Sequence, residues 1–371
     1  MPQSRYIMIG GFLGAGKTTV INRFAQLLAA RDLKVGLITN DQGGGLVDSA
    51  LGRSHSLPLE EIAGGCFCCR FNSLVDAARK LTASSRPDVF LAEPVGSCTD
   101  LVATVGLPLQ NIYSEAYRVS PLSVVVDPVR ALRILGLEEG KRFSENVRYI
   151  YRKQLEEAEV IAINKTDLVD AGRLKKLGDA LASNFPEAKV ISVSAREGAG
   201  LEAWLDHIIE AEIDMSRFLD IDYERYGEGE TLLGWLNTSI EIGSKNDNEF
   251  DGNTVLEQLA TSIQKKLLDG HVEIAHLKMT LTPLGDPYEI GAINLVRNES
   301  APEPSHRLSE PLEDGEILLN IRAEANPDTL DSAVTDALGE ILSTGHQLDF
   351  RITHCEHFRP SKPQPTHRLT A

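Results

Sequence analysis

Residues 6–19 read YIMIGGFLGAGKTT, and the fold turns on this stretch. Tyr6 to Ile9 form a short apolar run of the kind that makes a buried strand. A glycine-rich turn follows, and Thr18 to Arg31 then place apolar residues at helical spacing. Between strand and helix, Gly11, Gly14, Ala15, Gly16, Lys17 and Thr18 fill the pattern G-x-x-x-x-G-K-[ST]. Glycines let successive backbone N–H groups turn inward onto phosphate oxygens, and the helix start adds partial positive charge. Lys17 is expected to reach the β- and γ-phosphates, and the Thr18 hydroxyl to ligate Mg²⁺.

Working outward, short β-branched runs alternate with amphipathic stretches as far as residue 213. Strands are expected at Tyr6–Ile9, Val35–Thr39, Val89–Glu93, Ser123–Asp127, Val160–Asn164 and Lys189–Ser194. Helices are expected at Thr18–Arg31, Ser73–Thr82, Glu145–Glu157, Arg173–Asn184 and Leu201–Glu212. This alternation predicts an α/β domain at residues 1–213, a mostly parallel sheet with helices on both faces and its ligand at the carboxyl ends of the strands. Residues 214–230 are polar and without period, and read as a linker. Residues 231–357 run β-α-β-β-β-α-β, the order of a ferredoxin-like α+β domain with one additional strand. Asn298–Gly315 is expected to be an exposed loop. Residues 358–371 form a proline-rich tail, expected to be mobile.

The chain has 371 residues, 42% apolar and 25% charged, which suits a folded protein of two domains. Lys+Arg number 37 against 54 Asp+Glu, a net charge of −17 that opposes nucleic-acid binding. No apolar run approaches the ~20 residues of a membrane span. The first residues lack a signal-peptide pattern, so the expected compartment is the cytoplasm. The oligomeric state is left open, a dimer among the options.

Two further motifs fall at strand ends. Asn164-Lys165-Thr166-Asp167 matches N-K-x-D. A carboxylate at Asp167 can accept from N1–H and the 2-amino group of guanine; adenine offers neither and would leave it unpaired, a loss of about 1–3 kcal/mol. Ser194-Ala195 resembles the S-A-x element that meets the guanine oxygen. These motifs select GTP and argue against a small-molecule kinase. Glu93, in the stretch Glu93-Pro94-Val95-Gly96, carries a carboxylate where D-x-x-G is usual. Ser97 stands where a water-orienting glutamine is usual, so slow intrinsic hydrolysis is expected.

Of the five cysteines, Cys66, Cys68 and Cys69 form C-x-C-C. Three thiolates suit a soft or borderline ion such as Zn²⁺ or Co²⁺ and leave one coordination position open. The alternative is three buried structural cysteines or a vicinal disulfide. In His354-Cys355-Glu356-His357, strand alternation puts neighbours on opposite faces, so these four are not expected to converge, and the histidines read as surface residues.

GGFLGAGKTT, GGCFCC, EPVG and NKTD, in this order and spacing, resemble the CobW/HypB/UreG family of metal-centre GTPases, and within it the CobW-type branch. The resemblance covers residues 5–213. It implies GTP binding and hydrolysis coupled to metal binding or insertion, with a client metalloprotein or cobalamin-related enzyme as partner. It extends the phosphate set over Gly14 to Thr19, with Thr18 on Mg²⁺ and Glu93 in the acidic Mg²⁺ role. Gly96 follows in the nucleotide set, Asn164, Lys165 and Asp167 read guanine, and Cys66, Cys68 and Cys69 hold the metal. Asp41, in N-D-Q-G where the family has N-E-F-G, keeps a carboxylate in the Mg²⁺ region. The loop from Asp41 to Cys69 would then respond to the γ-phosphate and carry the thiols with it. The alternative reading is a GTPase adaptor or activator with structural or redox-active cysteines.

Overall fold

The structure, a computed structural model, describes residues 3–40, 58–62, 64–140, 142–216, 218–245, 248–286 and 288–370. Its described residues fall into two units: one runs to Gly229 and resumes at Lys362, the other spans Glu230–Ser361.

In the first unit the strands are β1 (Ser4–Gly10), β2 (Val35–Asn40), β3 (Leu59–Ile62), β4 (Val89–Glu93), β5 (Tyr117–Val119), β6 (Ser123–Val126), β7 (Val160–Ile163) and β8 (Lys189–Ser192). They form one parallel sheet in the order β3-β2-β4-β1-β6-β7-β8. β5 pairs with the first half of β1 and β6 with its end. β3 and β5 are additions to the expected strands; at four and three residues they are too short to show a period.

The helices are α1 (Lys17–Ala29), α2 (Phe71–Ser84), α3 (Leu107–Ile112), α4 (Pro128–Ile134), α5 (Glu145–Glu157), α6 (Ala171–Asn184), α7 (Leu201–Glu210) and α8 (Tyr223–Leu232). Alternation along β1 explains why both faces are covered. Ile7 and Ile9 enter a core with Phe24 of α1 and Trp204 of α7, whose rings meet edge-on at 4.8 Å. Tyr6 turns to the opposite face, against Phe90 and Tyr117. The segment expected as a linker contains α8, because Tyr226 is buried and its hydroxyl accepts the Thr99 N–H at 3.2 Å.

The second unit holds β9 (Leu233–Ser244), α9 (Gly252–Asp269), β10 (Glu273–Thr282), β11 (Gly291–Leu295), β12 (Glu303–His306), β13 (Asp314–Glu324), α10 (Pro327–Leu338) and β14 (Leu348–Phe358). The sheet is antiparallel in the order β12-β11-β10-β13-β9-β14. The run β14-β9-β13-β10, with α9 and α10 as crossovers, is the ferredoxin-like split βαβ arrangement. Asp251 and Asn326 cap the two helices through their side chains. β12 lies in the stretch expected as a loop. Its four residues are all exposed and include Pro304, the features of an edge strand rather than a core one.

Candidate nucleotide and thiol sites

β1 ends at Gly10 and the chain turns at once. Gly11 (φ +128°) lies against β6, where an added Cβ would come within 2.3 Å of the Val125 carbonyl oxygen. Gly16 (φ +97°) lies beneath Asn164, whose Nδ2 would be 2.5 Å from a Cβ. Conformation and space both demand glycine there. α1 begins after Gly16 with no side-chain cap, the form of helix start that receives an anion. Lys17 donates to the Gly11 carbonyl at 2.9 Å and lies 4.0 Å from Glu93, while the Thr18 hydroxyl donates to Glu93 at 3.0 Å. Thr19 sits exposed in the first turn.

The ends of β7 and β8 are fastened to this loop. Asn164 Nδ2 donates to the Ala15 carbonyl at 3.0 Å, and its Oδ1 accepts the Ala195 N–H at 3.0 Å. Lys165 Nζ donates to the Gly14 carbonyl at 2.7 Å and to Asp127 at 3.1 Å. Asp167 accepts from the Ser194 hydroxyl at 2.7 Å, with the Arg196 guanidinium 3.8 Å away. The expected phosphate and guanine residues are therefore brought together at the carboxyl edge of the sheet.

Residues the sequence reading did not single out hold this corner. Asp127 caps α4 through the Arg130 N–H and pairs with Lys165. Arg130 donates to the Leu13 carbonyl at 2.9 Å and lies 5.5 and 5.2 Å from the ring centres of Phe12 and Phe143. An Asp-Pro step at the end of a strand was the available signal. Glu93 ends β4, and Gly96 packs against Leu13 so closely that a Cβ would meet its side chain at 2.7 Å. Ser97 is fully buried in the same turn. Asp41 lies outside the described residues.

The three clustered sulfurs converge. Cys66 Sγ is 2.9 Å from Cys68 Sγ and 3.0 Å from Cys69 Sγ; Cys68 and Cys69 are 3.7 Å apart. Asn40, at the end of β2, shapes the loop before them by donating to the carbonyls of Ile62 (2.9 Å) and Gly65 (2.7 Å). Cys66 is hydrogen-bonded by the thiols of Cys68, Cys69 and Cys98, which hold it well below the ordinary thiol range. Seen from the other side, the bond to Cys66 pushes Cys68 well above that range and Cys69 up to about 11. Proton loss is therefore favoured at Cys66 over Cys68 and Cys69, and a thiophilic cation binds thiolates, so it would compete with protons at the cluster.

Residues 362–370, expected as a mobile tail, are laid over this cluster. The Gln364 N–H points at Cys69 Sγ (3.2 Å), and the Thr366 N–H bonds the Cys68 carbonyl (2.8 Å). The Thr366 hydroxyl bonds the Cys69 carbonyl, His367 stacks edge-on against Phe71, and the Leu369 N–H bonds Ala103. Arg368 pairs at 2.7 Å with fully buried Asp100, and Lys362 pairs with Glu224. The stretch whose prolines suggested disorder is thus held by two of its N–H groups on carbonyls, one on a sulfur, and by side-chain pairs.

The sequence profile of the CobW/HypB/UreG nucleotide-binding domain matches residues 5–192, half of the chain. The chain belongs to the CobW/HypB/UreG family. A zinc chaperone CobW from a Sinorhizobium species is 29% identical over 214 residues, 52% of this chain and 58% of that one. Zinc-regulated GTPase metalloprotein activator 1 of Dictyostelium discoideum is 23% identical over 213 residues, 50% of this chain and 44% of its own. The chain thus spans about half the length of the curated relatives it matches. Among solved structures, Zn(II)-bound YjiA GTPase from E. coli covers 91% of this chain and 99% of its own at 16% identity, with a TM-score of 0.37. HypB from Archaeoglobus fulgidus covers 55% and 87% at 22% identity, with a TM-score of 0.40. Among the described residues no helix is long and apolar enough to cross a membrane.

In the second unit, His354, Cys355, Glu356 and His357 do not meet as a group of four. The alternate pair Cys355 and His357 shares one face of β14 and meets Asp331 of α10. Glu356 turns the other way and accepts from Asn237 at 2.8 Å. His354 and His357 are both exposed, and His357 Nε2 lies 3.3 Å from Asp328.

Proposed function

We propose that the chain is a GTP-hydrolysing metallochaperone: nucleotide state governs how tightly Cys66, Cys68 and Cys69 hold Zn²⁺ or Co²⁺, and the ion passes to a client metalloprotein or cobalamin-related enzyme. One observation carries this reading. Glu93 faces the nucleotide corner through Thr18, and five residues later Cys98 hydrogen-bonds Cys66. The turn 93–98 therefore touches both sites and gives a route between them.

The thiol set suits a borderline ion and leaves a position for water or a client ligand. The hydroxyl of Thr18 and carboxylate of Glu93 are hard oxygen donors of the kind Mg²⁺ takes beside phosphate oxygens. When bound there, Mg²⁺ would neutralise charge on the β- and γ-phosphates. The chain's own contribution is positional: the loop amides and Lys17 cradle phosphate, Asn164 and Lys165 brace the loop, and Asp167 with Ser194 and Ala195 presents the guanine-reading edge. Ser97 in place of a water-orienting glutamine supports a slow basal rate that rises with metal or client. The names of the curated relatives favour zinc over cobalt.

A second reading, a GTPase adaptor with structural cysteines, draws on the burial of Cys66 and Cys68, 5% and 1% exposed. The deciding experiment measures hydrolysis of GTP and ATP by the reduced protein with and without Zn²⁺. The first reading expects GTP to be preferred and the rate to change with Zn²⁺. Preference for ATP would overturn the nucleotide assignment. A GTP rate indifferent to bound Zn²⁺ would favour the adaptor.

A further inference from the structure

Outside the nucleotide and thiol sites, a second cluster of metal-ligating types lies between α10 and β14. Cys355 Sγ is 3.6 Å from Asp331 Oδ1, and His357 Nδ1 is 3.9 Å from the same oxygen. The other ring nitrogen, Nε2, is 3.3 Å from Asp328 Oδ1. We propose that Cys355, His357 and Asp331 form a three-ligand site for a thiophilic divalent cation, Zn²⁺ or Co²⁺, with Asp328 orienting the imidazole.

Three features argue for it. The first is spacing. In a tetrahedral zinc site with Zn–S of about 2.3 Å and Zn–N and Zn–O of about 2.0–2.1 Å, sulfur and oxygen ligands lie about 3.5 Å apart and nitrogen and oxygen about 3.3 Å apart. The sulfur–oxygen separation of 3.6 Å exceeds its value by about 0.1 Å and the nitrogen–oxygen separation of 3.9 Å by about 0.6 Å, a closure that exposed side chains make by rotation. The second is the division of the histidine. A ligating imidazole almost always gives its second nitrogen to a carboxylate or carbonyl, which fixes tautomer and ring orientation. Asp328 occupies that place on Nε2, while Nδ1 lies toward Asp331, the carboxylate that Cys355 also meets. A histidine held only by ion pairing would need no thiol on the same side.

The third feature is how the sequence builds the cluster. Cys355 and His357 are two apart on a strand and so share a face. Asp328 and Asp331 are three apart on a helix and so lie on one surface. Asn326 and Pro327 start α10 so that its first turn presents Asp328. Two local periodicities thus bring a nitrogen, a sulfur and two carboxylates together, with the fourth coordination position facing solvent. The site stands on residues of the second unit alone and does not depend on the function proposed for the thiol loop.

The test uses the full chain with Cys66, Cys68 and Cys69 all changed to Ser, which removes the thiol loop and leaves two thiols, Cys98 buried and Cys355 exposed. Co²⁺ is titrated in under reducing conditions while the thiolate-to-cobalt charge-transfer absorption is followed. Zn²⁺ is then added in competition. The expected result is one equivalent of Co²⁺ with a sulfur charge-transfer band. Cys355→Ser in the same background should abolish the band, and Asp328→Asn should weaken affinity about 10–100-fold while keeping the band. Absence of the band in the triple variant would overturn the proposal, as would a band that survives Cys355→Ser. An affinity unchanged by Asp328→Asn would remove the orienting role. Should the triple variant fail to fold by circular dichroism, the same question is put to the wild type: its Co²⁺ equivalents should fall by one on Cys355→Ser, and no change would overturn the site.

Discussion

The nucleotide corner and the thiol loop belong to one unit but are built in opposite ways. The nucleotide corner draws on residues far apart in sequence, yet each carries its own signature: Gly11 to Thr18, Asn164 to Asp167, Ser194 and Ala195. Backbone carbonyls bolt them together, as where Asn164 and Lys165 meet Ala15 and Gly14. The thiol loop is compact in sequence, but what holds and covers it comes from elsewhere: Asn40, Cys98 and the strap at 362–370. A preassembled phosphate cradle can wait for its ligand, because its donors are backbone groups with fixed places. A sulfur cluster held by distant side chains can be opened by moving any one of them.

The largest expected effects split this comparison cleanly. Cys68→Ser should abolish soft-metal binding at the loop, read as the loss of one equivalent from the Co²⁺ charge-transfer titration, while leaving GTP affinity within about twofold, since the Cys68 sulfur meets Cys66 and Cys69. Lys17→Ala should lower GTP hydrolysis by about 10²–10³-fold, the usual loss when one charge-stabilising donor is removed, and leave metal binding without nucleotide unchanged. If either change struck both sites equally in the absence of the other ligand, the contrast between the two regions would fail.

A smaller effect is expected at Asp167. Asp167→Ala should reduce the preference for GTP over ATP by about 10–100-fold, the worth of a charged hydrogen bond to the base, as read in a competition assay. Truncation after Ser361 removes the strap and uncovers Cys69. Alkylation of Cys69, followed by mass spectrometry in the nucleotide-free protein, should accelerate about tenfold, the removal of about 1.4 kcal/mol of cover, with GTP affinity unchanged.

A pH-dependent effect lies under the strap. Glu157 is buried, bonds the Thr99 hydroxyl and the Val102 N–H, and faces Asp100; burial first and Asp100 second raise its pKa from 4.5 to about 8. The fold therefore prefers the protonated acid. This contribution to stability is full below about pH 4.5 and is lost as pH rises through about 8. Thermal melts from about pH 5 to 8 should show a decline in the wild type that Glu157→Gln flattens.

Much of this was legible beforehand, for reasons the residues make plain. The parallel sheet and the ferredoxin-like order followed from alternation over runs long enough to show a period. β3 and β5 escaped because three or four residues carry none. The strap escaped because prolines resemble disorder unless one knows which carbonyls lie beneath them. Cys98 stands outside C-x-C-C, and nothing local in the sequence ties it to Cys66. Cys355 and His357 were correctly separated from His354 and Glu356, but their partners sit on a helix that strand alternation cannot reveal.

The central claim is that the turn from Glu93 to Cys98 lets one site feel the other. It is tested most directly by measuring the Zn²⁺ dissociation constant of the reduced protein bound to a non-hydrolysable GTP analogue and bound to GDP, with nucleotide affinity measured in turn with and without Zn²⁺. The account predicts a difference of about tenfold or more, equal in both directions as linkage requires. Equal Zn²⁺ affinities in the two nucleotide states would contradict it.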